Sequence, residues 1–157
     1  LEDRLGHVEP MGQRPGEPVS VENSRRAFSA GFAATLAAYA AIGAREHVLE
    51  QVPQQLLAPR AVYERAQRAA VPPQEVIDSL SVPLARHLGL QAFPASVFRR
   101  ADLPPHEILS MDDLFCDRQR CTVGLAGQPY YTDISHLSPA GALRLVPRLT
   151  EALRAPP

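Results

Sequence analysis

The first part of the chain places apolar residues among polar ones at helical intervals. The apolar residues at spacings of three and four are Phe28, Phe32, Leu36, Tyr39 and Ile42. This spacing is typical of one face of an amphipathic helix. Asn23 or Ser24 is placed to cap the start of the helix, and Gly43 is placed to end it. A short strand over residues 47–52 follows, and we expect the helix and the strand to form half of an α/β unit.

Further along the chain, the pattern predicts more helices and one more strand. We predict a helix over residues 60–70, a strand over residues 107–111 and a turn at Asp112 and Asp113. Another helical stripe consists of Val76, Ile77, Leu80, Leu84 and Leu88. Pro83 is expected to kink that helix. Residues 91–105 agree equally well with a helix or a strand.

The last helix carries the clearest start signal. Ser138 is a candidate N-cap, and Pro139 suits the first helical position. The apolar stripe of this helix consists of Leu143, Val146, Leu149 and Leu153. Pro147 must bend the helix or shorten it. The complete order of elements predicts an open α/β sheet that helices cover on both faces.

Length and charge narrow the classes of function. A chain of 157 residues is the size of one domain. Its 16 basic and 17 acidic residues give a net charge of −1, which disfavours binding to nucleic acid through bulk charge. No apolar stretch approaches the roughly 18 residues that span a bilayer. The first residues show no signal peptide, and we expect the chain to begin inside a longer protein or to be processed.

Asp133 and His136 are the first candidates for chemistry. A carboxylate bonded to one ring nitrogen fixes the tautomer of a histidine and leaves the other nitrogen to accept a proton from a nucleophile. The three-residue separation allows both side chains to lie on the same side of a turn. The alternative is a pair that only satisfies hydrogen bonds within a loop. A metal site is not expected, because no further ligands lie nearby in the sequence.

Cys116 and Cys121 enclose four polar residues that suit a surface turn. The two cysteines are either a disulfide or two reduced thiols, and the spacing alone leaves both open. A metal site at this pair would need two more ligands, for which Asp117 alone is poor support.

The segment from Tyr130 to Ala142, YYTDISHLSPAGA, resembles the last block of SGNH (GDSL-like) esterases. More narrowly, it resembles the SGNH domain fused to acyltransferase-3 O-acetylases, which modify bacterial surface polysaccharides. In that subgroup a cysteine pair commonly precedes the block, as Cys116 and Cys121 do here. Residues 23–28, the helix over residues 31–42 and the Val52-Pro53 pair also resemble the family.

The resemblance implies a mechanism and its participants. His136 would be the general base, Asp133 its orienting partner, and Tyr131 a residue lining the acyl or sugar pocket. Cys116 and Cys121 would form a disulfide, which points to an oxidising compartment. The substrates would be an acyl donor and a carbohydrate acceptor, with no cofactor, no metal and no nucleic acid. A transmembrane acyltransferase domain would lie upstream, at the periplasmic face of the bacterial inner membrane.

The resemblance also implies the fold, a three-layer α/β/α, flavodoxin-like open parallel sheet. The family nucleophile lies in a Gly-Asp-Ser block after the first strand, and this sequence contains no such block. We therefore expect the first strand and the nucleophile to lie upstream of Leu1 or to be lost. Residues 1–22 would be an irregular segment, residues 23–154 the C-terminal part of one SGNH-like domain, and residues 155–157 a tail. The alternative is a non-catalytic α/β module with a carbohydrate-binding or structural role.

The remaining candidates receive structural roles. His47, His87 and His106 are expected to be ordinary histidines at the surface or at strand edges. Packing is the favoured use of both Tyr130 and Tyr131, one of which should lie under the Asp133–His136 turn. Ser135 and Ser138 are not assigned as nucleophiles, because Ser138 is better explained as a helix cap.

Overall fold

A computed structural model of the chain describes residues 20–154. The tail at residues 155–157 and nearly all of the segment predicted to be irregular lie outside the described residues. The helices are α1 (Val21–Ala41), α2 (Pro59–Arg68), α3 (Pro73–Leu80), α4 (Leu84–Phe98), α5 (Asp112–Phe115), α6 (Pro139–Leu143) and α7 (Val146–Arg154). The strands are β1 (His47–Leu49), β2 (Val82–Pro83), β3 (Glu107–Leu109), β4 (Arg120–Cys121), β5 (Gly124–Leu125) and β6 (Gln128–Pro129).

The predicted α/β class is confirmed. Strands β1 and β3 form a small parallel sheet, in which the N–H of Glu50 donates to the carbonyl of Leu109 at 3.0 Å. Strands β2 and β4 pair antiparallel, as do β5 and β6. Short strands thus alternate with helices, in agreement with an SGNH-like fold.

The described residues divide into two compact units. The first unit contains residues 20–46 and 96–107, and the second contains residues 47–95 and 108–154. In the first unit, the ring of Phe32 packs against that of Phe98 with centroids 4.9 Å apart and against His106 edge-on. The imidazole of His106 also bonds to the carbonyls of Pro104 and Phe98. The assignment of residues 23–154 to part of one domain stays a prediction.

The second unit contains the main hydrophobic core. Its buried members are Val62, Ala66, Ile77, Leu109, Met111, Phe115, Val123, Tyr130, Tyr131 and Ala152. Helices α2, α3, α5 and α7 supply one side chain or more each, and the others lie in or directly after the strands. The segment that contains the candidate chemistry therefore starts from two buried tyrosines.

Local signals located several helix ends correctly. Ser138 caps α6 by accepting the N–H of Gly141 at 3.2 Å, and Pro139 occupies the first turn. Gly43 follows α1 with a φ of 72°, a conformation that glycine adopts without strain. The start of α1 was predicted wrongly, since Ser20 caps it by accepting the N–H of Asn23 at 3.0 Å.

Two prolines change the predicted helices. The predicted helix is not one long helix kinked at Pro83. It is two helices, α3 and α4, and Pro83 is the last residue of the short strand β2 between them, which pairs with β4. Proline has no backbone N–H to donate to a neighbouring strand, so it is found where little pairing is needed. Strand β2 meets this condition, because it is only two residues long. Pro147 lies in the first turn of α7, which is a separate helix. Of the two predicted effects, the helix is shortened by a break before Pro147 and is not bent there.

The break before α7 also changes which residues are buried. Leu143 and Leu153 of the predicted apolar stripe are exposed at 70% and 76%. Leu149 of the stripe packs against the core as predicted, together with Leu145 and Ala152, which the stripe did not include. The predicted stripe requires one continuous helix. Because residues 144–145 separate α6 from α7, not all side chains of α7 point in the directions predicted. The turn predicted at Asp112 and Asp113 is the start of the short helix α5.

The closest backbone approach near the candidate site involves Gly141. A Cβ at this position would lie 2.0 Å from the carbonyl oxygen of Tyr130. That oxygen also accepts the N–H of Ser138 at 2.9 Å. Only a glycine lets α6 pack directly on the strand that leads into the loop.

We therefore expect Gly141→Ala to destabilise the protein by about 1–3 kcal/mol, because the backbone must move to admit the methyl group. Gly89→Ala is the matched control, since Gly89 lies in α4 with open space around its Cα. This control should be neutral or stabilising by up to about 1 kcal/mol. Urea unfolding of both variants measures the difference, and equal stability would contradict the packing described here.

Candidate active site

Asp133 and His136 form a hydrogen-bonded pair in the loop between β6 and α6. Nδ1 of His136 lies 2.7 Å from Oδ2 of Asp133. Both side chains face solvent, with 52% of Asp133 and 79% of His136 exposed. No described residue hydrogen-bonds to Nε2 of His136. The pair is thus arranged so that one ring nitrogen is held and the other is open to a reacting group.

The backbone fixes the Asp133 carboxylate. Oδ1 accepts the N–H groups of Ser135 and His136, both at 2.8 Å, in an Asx-type turn. These two N–H bonds, and then the bond from the imidazole, hold the pKa of Asp133 far below its usual range. The carboxylate therefore stays charged wherever a histidine is titrating, and it remains an acceptor for Nδ1–H.

A short antiparallel loop presents the pair. The N–H of Thr132 donates to the carbonyl of His136 at 2.8 Å, and the N–H of Ser138 donates to that of Tyr130. Tyr131 and Leu137 form a bridge between these two rungs. Ser138 also donates its hydroxyl to the carbonyl of Pro129 at 2.7 Å. The loop is consequently closed at its base by backbone contacts on both sides.

Gln55 holds the tip of the loop, a role that no sequence pattern indicates. Its backbone N–H donates to the carbonyl of Ile134 at 2.7 Å. Its side chain is buried, donates to the carbonyl of Cys121 at 3.2 Å and accepts the N–H of Val82 at 3.3 Å. One residue therefore connects the candidate site with β2 and β4, through its backbone N–H on one side and its side-chain amide on the other. A glutamine 79 residues from Ile134 carries no local signal for such a contact.

Both tyrosines before the loop are buried, which agrees with the packing role favoured for them. Tyr131 is 1% exposed and lies under the loop against the ring of Phe115, with centroids 5.9 Å apart. Burial raises the pKa of Tyr131 to about 12. Tyr130 packs under the guanidinium of Arg144, which also donates to its hydroxyl at 3.1 Å. In this conformation Tyr131 offers almost no surface to a substrate, so its role in lining the pocket stays a prediction.

The expected disulfide is present. Cys116 and Cys121 are joined, and their backbones form a bridge at the end of α5. A cavity of about 200 Å³ opens beside Cys116, and its lining includes neither Asp133 nor His136. The described part of the chain thus presents the Asp133–His136 pair on an open surface, away from this cavity.

A family model of the SGNH domain that is fused to AT3 domains matches residues 5–151. The chain belongs to this family. No curated protein and no solved structure shows significant similarity to the chain. Membership makes it a hydrolase or acyltransferase-type domain, whose family occurs with membrane acyltransferase domains. Within residues 20–154, no helix has the length and apolar character needed to cross a membrane.

Neither of the two serines of this SGNH domain that adjoin the pair hydrogen-bonds to Nε2 of His136. The hydroxyl of Ser135 lies 3.4 Å from Oδ1 of Asp133, on the side of the carboxylate that faces the backbone. The hydroxyl of Ser138 is occupied with the α6 cap and with Pro129. This agrees with the decision from the sequence to assign neither as a nucleophile.

The structure also corrects the expectation for His87. This histidine is not at the surface but is 1% exposed, and its Nε2 lies 2.8 Å from Oδ1 of Asp112. The SGNH domain therefore contains a second His–Asp pair, formed by the buried His87 of α4 and the partly exposed Asp112 of α5. The two residues are 25 positions apart, and no motif joins them in the sequence.

The lowered pKa of Asp133 predicts a pH-dependent contribution to stability. The folded-state pKa lies below the ordinary value of 3.8, so the stabilisation is present above that value and is lost as the pH falls through the folded-state pKa. We expect Asp133→Asn to lower the melting temperature near pH 7, with a difference from wild type that shrinks below about pH 4.

Ser135→Ala is the control for this experiment, because it keeps both backbone N–H groups that bind Asp133. Its melting temperature should differ from that of wild type by the same amount at every pH. A difference for Asp133→Asn that stays constant from about pH 7 to pH 3 would show that the charge of this carboxylate does not contribute to folding.

Proposed function

We propose that this SGNH domain provides the acid–base pair of an O-acyltransferase or esterase that moves an acyl group, acetyl above all, to or from a carbohydrate hydroxyl. The observation that supports this most directly is the 2.7 Å contact between His136 Nδ1 and Asp133 Oδ2. In this pair the carboxylate is held by the backbone and Nε2 faces solvent. Family membership supplies the reaction class, and the resemblance to polysaccharide O-acetylases supplies the acceptor.

The proposed chemistry uses His136 twice. Nδ1–H donates to Asp133, so Nε2 carries the lone pair and removes the proton from a serine hydroxyl as its oxygen attacks the acyl carbon. The bond to the donor's leaving group then breaks, and the leaving group takes the proton from Nε2. In the second half, Nε2 removes the proton of a sugar hydroxyl or of water, whose oxygen attacks the acyl carbon. The bond between that carbon and the serine oxygen then breaks, and the serine takes the proton back from Nε2. The charged Asp133 stabilises the imidazolium that forms in each half.

The nucleophilic serine must come from another segment. The sequence of 157 residues contains no Gly-Asp-Ser block. Of the serines beside His136, Ser135 donates its hydroxyl to Asp133 and Ser138 caps α6. The exposed position of the pair supports a site completed by a partner surface, because Nε2 is open to approach. Donors for the developing oxyanion would come with the same segment.

The disulfide supports a position in an oxidising compartment. Together with the AT3 fusion of the family, this favours the periplasmic face of the bacterial inner membrane, beside a transmembrane acyltransferase domain that delivers the acyl donor. Tyr131 contributes to this function from beneath the loop, where its ring supports the backbone of residues 132–136.

The test is the O-acetyl content of surface polysaccharide in cells that make the protein in its natural context. His136→Ala should slow O-acetyl incorporation by about 100-fold or more, which is the size of a general-base contribution. Asp133→Asn should also slow it, because the imidazole loses its fixed tautomer. NMR of the isolated polysaccharide measures the acetyl groups directly.

Asp102→Asn is the matched control, since Asp102 is another exposed carboxylate with a lowered pKa, paired with Arg100. It should leave the acetyl content unchanged. Wild-type acetylation in the His136→Ala strain would contradict the proposal. The non-catalytic module would then be favoured, and glycan binding by the same variants would be the quantity to measure.

A further inference from the structure

A second cluster of chemically competent groups lies beside the disulfide, separate from the Asp133–His136 pair. His87 comes from α4, Asp112 from the start of α5, and Cys116 directly follows α5. One ligand atom of each residue lies within 4.8 Å of those of the other two. The sequence showed that a metal site at the cysteine pair would need two more ligands, and the fold brings two such groups to it.

His87 is the unusual member of this cluster. Its side chain is 1% exposed, and its Nε2 contacts Oδ1 of Asp112 at 2.8 Å. Its other ring nitrogen, Nδ1, is also buried and has no hydrogen-bond partner among residues 20–154. A buried polar atom without a partner costs free energy, so a native structure retains one only with a reason. A buried imidazole beside a carboxylate and a sulfur is a donor set that transition metals prefer.

We propose that reduction of the Cys116–Cys121 disulfide opens a site for one zinc-type divalent cation, bound by the two thiolates, His87 and Asp112. The two sulfurs are bonded in the oxidised form, so Cys121 is held next to the same cluster. Two thiolates, an imidazole and a carboxylate make the four-ligand, nitrogen- and sulfur-rich set of a closed structural zinc site. The disulfide and the metal would be two alternative ways to tie α5 to β4.

The steps balance with a dithiol as the reductant. The dithiol gives two electrons and two protons to the disulfide and becomes a disulfide itself, leaving two cysteine thiols. Zn²⁺ then binds both sulfurs, and the two thiol protons are released to solvent. The cation takes the place of the proton between Nε2 of His87 and Asp112, and that proton moves to Nδ1, so the ring stays neutral. Oxidation reverses these steps and expels the cation.

A path to the disulfide is visible on the surface. The cavity of about 200 Å³ is lined by Cys116, among other residues, and not by His87 or Asp112. A small dithiol or phosphine can therefore approach the disulfide from solvent. This site shares no ligand with the proposed acyl transfer, because neither Asp133 nor His136 belongs to it.

The test compares zinc binding by the oxidised and the phosphine-reduced protein, by competition with a colorimetric chelator. We expect the reduced protein to bind one equivalent at least about 100-fold more tightly than the oxidised protein, because only reduction frees two thiolates. Loss of a mere second-shell partner weakens metal binding by about 10–100-fold, so Asp112→Asn should weaken it by about tenfold or more. Asp113→Asn is the matched control, an exposed neighbour on α5 that pairs with Arg148. This control should bind zinc as wild type does.

Cobalt substitution of the reduced wild-type protein identifies the ligands without any variant, so the proposal remains testable even if Asp112→Asn fails to fold. Sulfur-to-cobalt charge-transfer bands and the d–d bands of a tetrahedral ion are expected. Equal zinc affinity of the oxidised and reduced forms, or a six-coordinate cobalt spectrum without sulfur bands, would overturn the proposal. Equal binding by folded Asp112→Asn and Asp113→Asn would also overturn it.

Discussion

The two oxygens of one carboxylate hold the candidate site together. Oδ1 of Asp133 accepts the N–H groups of Ser135 and His136, and this turn directs Oδ2 to the imidazole 2.7 Å away. Because the backbone supplies the donors, the pair forms within four consecutive residues and needs no surrounding side chains to hold it. A fully exposed histidine would otherwise sample many rotamers. The pair is therefore arranged for proton transfer before any nucleophile or substrate arrives.

Contacts beneath the loop connect the Asp133–His136 pair with the rest of the second unit. Tyr131 packs under the loop in the core, Ser138 closes its base, and Gln55 bonds to the carbonyl at its tip. The side-chain amide of Gln55 also binds the carbonyl of Cys121. The exposed pair and the disulfide thus share one buried residue. A change at the disulfide has a short hydrogen-bonded route to the loop, and the two clusters belong to one connected region of the second unit.

Features that depend only on a few neighbouring residues could be predicted from the sequence. The Ser138-Pro139 helix start, the Gly43 helix end and the Asp133–His136 contact depend on separations of three residues or fewer. The disulfide followed from the family resemblance, since spacing alone allowed reduced thiols. The pairing of His87 with Asp112 and the contacts of Gln55 join residues 25 to 79 positions apart, which only packing decides. The effect of Pro83 was missed for the same reason, because it depends on a partner strand some 40 residues away.

Asp133 is expected to fix the tautomer of His136 in this chain without help from a nucleophile. Long-range ¹H–¹⁵N NMR of the histidine ring measures this directly, at a pH at which the imidazole is neutral. His136 should carry its proton on Nδ1 and leave Nε2 unprotonated, and Asp133→Asn should shift the population toward the Nε2–H form usual for free histidine. A wild-type ring protonated mainly on Nε2, or an unchanged tautomer ratio in Asp133→Asn, would contradict it.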